Sequence, residues 1–246
     1  MRGVLVGLAL SGAAVGPAQT AEAMLRSSID GIRSTGAVAF SMTGTRQTSA
    51  TTIPVVASLA IQLDVSAGYP VWRFEAKNYE NGVLTHRLVG DGQFFVTYDA
   101  LKNTYSSIRY GTVDGATQLP DHLARGFLAL RRRGPAPVSF LAAMGSDIFE
   151  RGGARWAPYL PTGTRYDTAG EVIVQATTPW WRETRYQLDA AGKWVGVSHR
   201  EVNSGSNYRD ETWPTTIYAG TVFSDTSFVF TPPPGSRSLG GEAVGP

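Results

Sequence analysis

Apolar residues recur along this chain at two different periods. From Glu22 to Ser34 the period is helical: Leu25, Ile29 and Ile32 fall at i, i+4 and i+7, Arg26, Asp30 and Arg33 face away, and Thr35-Gly36 ends the element. From there to Tyr110 the period is two. Val38, Phe40 and Met42 alternate with small residues, and Ile61, Leu63 and Val65 alternate with Gln62 and Asp64. Trp72, Phe74 and Ala76 alternate with Arg73, Glu75 and Lys77. Residues 44–54 are Thr-rich and polar and predict an exposed turn or hairpin tip. Residues 87–110 read strand, turn, strand, short link, strand. The turn is Asp91-Gly92, where Gly supplies the positive φ that a tight hairpin needs. Phe94, Val96 and Tyr98 then share one face, and Phe95 and Thr97 the other. Asn81-Gly82 predicts a second such turn.

The period changes again at 111–157. Leu123, Phe127 and Leu130 form a helical stripe stopped by Gly134-Pro135, and Leu141, Met144 and Ile148 form another behind Pro137. After Pro161 strands return at 171–177, 180–188, 193–202, 208–210, 216–223 and 228–231, with turns at Ala190-Ala191-Gly192 and Ser204-Gly205-Ser206. The tail from Pro232 is Pro- and Gly-rich and is expected to fray after Leu239. The reading is mainly β (α+β): about ten or eleven strands in a large, curved antiparallel sheet, an N-terminal helix and two central helices.

Composition narrows the picture. Without a linker-like break, residues 22–240 read as one domain, and 241–246 as a flexible tail. A hydrophobic content of 42 % supplies a core and argues against global disorder. The formal charge of +2, from 22 basic and 20 acidic residues, is too slight to suggest nucleic acid. Behind Arg2, the apolar run Gly3–Gly16 has signal-peptide length and is too short to span a bilayer. Ala18, Ala21 and Ala23 supply small residues for cleavage, so residues 1–21 are assigned to a signal peptide and the mature chain to the periplasm. Cysteine is absent, which removes a disulfide framework, a Cys-ligated metal and a lipid-modified Cys.

Candidate chemistry is sparse. There is no Gly-x-Ser-x-Gly elbow, no P-loop and no His-Glu-x-x-His. His86, His122 and His199 sit in different elements without metal-ligand spacing, and His86 and His199 read as solvated. Glu75, Glu183 and Glu201 read as outward-facing sheet charges, although spacing does not exclude an acid pair. Arg131-Arg132-Arg133 lies at a helix C-terminus, where it answers the helix dipole or contacts anionic headgroups or an acidic partner. The six Trp, ten Tyr and ten Phe are spread along strands, and Trp180-Trp181 must send one ring to each side. Either a filled core or an apolar cavity explains them.

Three segments carry a resemblance to a known family. Tyr69-Pro70-Val71-Trp72-Arg73-Phe74 is similar to a strand with Pro before an aromatic-Arg pair. Val89-Gly90-Asp91-Gly92 through Tyr98-Asp99 resembles a "DG … FYD" hairpin, and Phe228–Gly235 resembles a terminal "F-x-F-x-P-P-x-G" strand. In this order they resemble the periplasmic lipoprotein-carrier (LolA-like) superfamily over nearly the whole mature chain. The resemblance implies a strongly curved antiparallel sheet forming an incomplete β-barrel, with an N-terminal helix and two lid-like helices. It implies a soluble, monomeric, non-enzymatic protein without cofactor. The implied ligand is a lipid or the acyl chain of a lipoprotein, carried or sensed. The ligand-lining residues so implied are Trp72, Phe74, Phe94 and Val96, with Trp180 joining them and Phe127, Leu130, Leu141 and Met144 over the opening. Tyr69 stands where the carriers place an Arg used in lid control, which points to a divergent member with another lipid or apolar ligand. Two alternatives stay open: an envelope regulatory or assembly module that binds a protein partner, with peripheral membrane contact, and a hydrolase whose site has no recognised motif.

Overall fold

Thr20 starts the first element: its Oγ1 accepts a hydrogen bond from the Ala23 amide at 3.2 Å and caps helix α1, Ala21–Arg33. Glu22 in the first turn pairs with Arg26 at 2.8 Å, one turn on. Leu25, Ile29 and Ile32 are buried, as their spacing predicts. The computed structural model describes residues 20–64, 71–109, 164–176, 181–204 and 207–241.

Twelve strands follow: β1 (Ala37–Thr48), β2 (Thr52–Asp64), β3 (Val71–Glu80), β4 (Val83–Gly90), β5 (Phe94–Asp99), β6 (Thr104–Arg109), β7 (Thr164–Thr168), β8 (Glu171–Ala176), β9 (Trp181–Leu188), β10 (Trp194–Ser204), β11 (Asn207–Ala219) and β12 (Arg237–Gly241). They form one sheet in the order β12-β6-β5-β4-β3-β2-β1-β11-β10-β9-β8-β7. Two antiparallel meanders, β1–β6 and β7–β11, are joined where β1 pairs with β11. Strand β12 adds to β6 in parallel. Among the described residues the sheet is not closed, and β7 and β12 are its edges. The mainly β reading and the N-terminal helix therefore hold. The two lid-like helices expected within 111–157 lie outside the described residues, as does the signal segment up to residue 19.

The tight turns form where their residues demand. Asn81 and Gly82 both take positive φ, 51° and 76°, the conformation that matches the twist of the flanking strands. Gly92 takes φ 98°, and the Asp91 carboxylate accepts from the Gln93 and Phe94 amides at 2.7 and 2.6 Å.

Residues 44–54 form the tip of the β1–β2 hairpin, one of the two readings of that stretch, and two other expectations are corrected. Pairing of β1 with β2 runs on through Thr45↔Pro54 to Gln47↔Thr52, because Thr suits a half-exposed strand as well as a turn. The separate strands expected at 208–210 and 216–223 are the single strand β11, which passes through an exposed Pro214. Phe228–Thr231 is not a strand. Asp225–Phe228 is a 3-10 turn, and the strand near the C-terminus is β12, which continues two residues past Leu239, where fraying was expected to begin.

Register defines the two faces of the sheet. Val38, Ile61 and Phe74 lie opposite one another along one row, and Phe40, Leu59 and Ala76 along the next. These side chains join Trp213, Val197, Tyr186, Val172 and the buried stripe of α1 in one core. Helix α1 seats on β1 and β7–β10, where Ser28 Oγ accepts from the Trp194 amide at 3.0 Å. The opposite face carries a second, smaller core of Val89, Val96, Tyr98 and Phe230.

Candidate functional site

The α1 face has an apolar centre and an ionic end. Phe74 sits in its centre, fully buried, with its ring centroid 5.8 Å from that of Phe95. Leu59, Ile61, Ala76 and Leu88 surround the pair in the same core.

The predicted lining residues do not all come together here. Phe74 does. Phe94 and Val96 lie on the other face, so their grouping with Phe74 is corrected: the row through Phe74 and Gly90 reaches Phe95, whereas Val96 packs in the second core with Val89, Tyr98 and Phe230. Alternation had separated the two sets; it does not say which set meets α1. Trp72 pairs with Leu63 in the β2–β3 ladder, and its side chain lies outside the described residues. Phe127, Leu130, Leu141, Met144 and Trp180 also lie outside them. Sequence reasoning missed Phe95, although the doublet Phe94-Phe95 signalled that both faces of β5 are apolar.

It also missed the ionic end. The row after Gly44 brings Arg46 opposite Glu211, which stands opposite His199 and then Thr184. Glu211 is 1 % exposed and is the hub. It accepts from Arg46 Nε, from Arg209 Nε at 2.7 Å and from the Trp213 indole N–H at 3.2 Å. Arg46 also reaches Glu80 at 2.7 Å. Burial disfavours the Arg46 charge, but Glu211 and Glu80 more than offset this and hold its pKa above the ordinary value. Two arginines and two carboxylates so arranged can orient one another in a dry setting.

Beside them, Thr184 Oγ1 lies 3.1 Å from His199 Nδ1, and Glu201 Oε2 stands 3.6 Å from His199 Nε2. The second distance exceeds a hydrogen bond and suits an ion pair once the ring is protonated. Glu201 therefore does not point outward with Glu75, which pairs with Arg87 and Lys77. His86 is not solvated either: it is buried, with Nε2 4.0 Å from Asp99. Among the described residues no group of three or more His, Asp or Glu is placed to hold a metal ion, and no helix is long and apolar enough to cross a membrane.

Two carboxyls elsewhere on the sheet set an acid limit. Burial raises the Asp99 pKa, but hydrogen bonds from Lys102 and the charge of His86 outweigh it and hold the group below its ordinary value. Burial likewise opposes, and Gln175 and Arg185 override, at Glu183. Each group thus contributes stability that is complete above its unfolded pKa, about 4, and is lost as pH falls through the lower folded value. The urea midpoint is expected to fall with acid below about pH 4, and to fall less steeply in Glu183→Gln. Parallel curves for the two proteins would contradict this.

No protein-family model matches the chain, and no curated protein does.

Proposed function

We propose that the protein is a periplasmic, non-enzymatic binding or carrier protein for a lipid, a lipoprotein acyl chain or another apolar ligand. The sheet curls about its α1 face as an incomplete barrel, and the ligand's chain lies along that face. The observation that carries this reading is the apolar centre on β1–β5, where Phe40, Leu59, Ile61, Phe74 and Phe95 share one core, with the charges of Arg46, Glu80 and Glu211 gathered at its end. The three sequence segments shared with the lipoprotein-carrier family support it.

Each acyl CH₂ moved from water onto such a surface gains about 0.8 kcal/mol, so ten reach roughly the 8 kcal/mol of micromolar binding before ordering costs. Phe74 and Phe95 are closed off from solvent in this state, so the loaded form parts the packing over them, and apparent affinity carries that cost.

Protein purified without detergent is expected to retain lipid in native mass spectrometry or to bind a fluorescent fatty-acid analogue. Phe95→Glu should abolish the binding by placing a charge in the apolar centre, with circular dichroism confirming the fold. Phe94→Glu, on the other face and half-buried, should leave it within about twofold. Absence of binding by the wild-type protein, or equal loss in both variants, would reject the site.

A further inference from the structure

After β11 the chain turns at Gly220, with φ 73°, and runs to the face of the sheet opposite α1 before re-entering it as β12. Over this span it is held by side chains. Phe228 is fully buried, beneath the Arg73 guanidinium at 5.2 Å and edge-on to Phe223 at 5.1 Å. Phe230 inserts between Tyr98 and Tyr105, with ring centroids 5.9 and 5.5 Å away, and Arg87 stacks on it at 5.5 Å. Val229 between them faces out, and its carbonyl accepts from Arg87 at 3.2 Å. Two anchors at i and i+2, with a side-chain hydrogen bond to the backbone carbonyl between them, are how an extended peptide docks in a groove.

The remaining attachments are slight. Val222 is 95 % exposed. Strand β12 is five residues long, pairs with β6 through a register shift and carries Gly240 at positive φ. Asn103 supports the crossing: its side-chain amide donates to the Pro234 carbonyl at 3.4 Å and its backbone carbonyl accepts from the Arg237 amide at 3.0 Å. A segment with two apolar anchors and a short edge ladder opens at lower free energy than the sheet beneath it. Its opening would leave β6 as an edge strand beside an apolar, arginine-rimmed groove.

We propose that residues 221–241 are a releasable strap, and that the groove it covers binds in trans an extended segment of a partner protein bearing two aromatic side chains two residues apart. The strap is the groove's occupant in cis, and Phe228-Val229-Phe230 defines what the groove accepts. The site lies on the face away from α1, so it stands whether or not the α1 face takes a lipid.

Hydrogen exchange on the full chain tests it. In Phe230→Ala, amides of 224–241 and of β6 are expected to lose protection together, by at least about tenfold, while β1 and β11 keep theirs. Arg87→Gln, which leaves the aromatic anchors in place, should give the same pattern at smaller amplitude, and replaces the first variant if that one does not fold. A synthetic peptide of the sequence 224–238 should restore β6 protection to either variant saturably and act only weakly on the wild type. The same peptide with both Phe replaced by Ala should do nothing. The proposal is overturned if β6 stays protected, if protection is lost across the whole sheet in Arg87→Gln, if the aromatic peptide restores nothing, or if both peptides act alike.

Discussion

Glu211→Ala is expected to lower the free energy of unfolding by about 3–5 kcal/mol, the usual cost of breaking a buried ion pair from one side. The Arg46 side chain is 9 % exposed, and the Trp213 indole N–H has Glu211 as its acceptor. Removing the carboxylate takes away the acceptor that Arg46, Arg209 and the indole share, and Arg46 keeps its contact to Glu80. The double variant Arg46→Met, Glu211→Leu should recover the part of that loss due to the buried Arg46 charge, because an apolar pair of similar volume avoids its desolvation. Urea denaturation of the three proteins measures both effects. A single variant within about 1 kcal/mol of wild type would show that the cluster is not dry.

Gly44→Ala is expected to cost about 3 kcal/mol or more, at the upper end for an overfilled site. A Cβ on Gly44 would lie 1.8 Å from the Thr212 carbonyl oxygen and 2.9 Å from its carbon. Both are backbone atoms of β11, so no side chain can swing aside, and the β1–β11 junction itself must part. Among the described strands, that junction joins the two meanders. The expected readout is a large drop in thermal midpoint, with exchange protection lost first at β1 and β11. Gly36→Ala makes the contrast: nothing lies within 4 Å of its added Cβ, and its cost is limited to the strain of φ 69°. Equal effects from the two would contradict the close approach.

Local chemistry made part of this legible from the residues. The α1 stripe, the Asn81-Gly82 and Asp91-Gly92 turns and the alternation through β3 are set by neighbours in sequence, and they form as read. The long end of the β1–β2 hairpin was obscured because Thr serves turns and strands alike. The face of β5 was assigned the wrong way because alternation divides Phe95 from Phe94 and Val96 without naming the side that meets α1. Here both sides are covered, one by the main core and one by Phe230. The Phe-x-Phe segment has the period of a strand, yet its partners are rings and guanidinium groups. The ionic end was invisible because Arg46 and Glu211 lie 165 residues apart, and only the β1–β11 register makes them neighbours.

The acyl chain is proposed to lie on the apolar centre of the α1 face. Photo-crosslinking with a diazirine-bearing fatty acid, followed by peptide mapping, tests it most directly. A chain bound there gives saturable labelling on β2, β3 and β5 at Leu59, Ile61, Phe74 or Phe95, competed by unlabelled fatty acid and lost in Phe95→Glu. Labelling confined to Val96, Tyr98 and the 228–230 segment, or none that saturates, would contradict it.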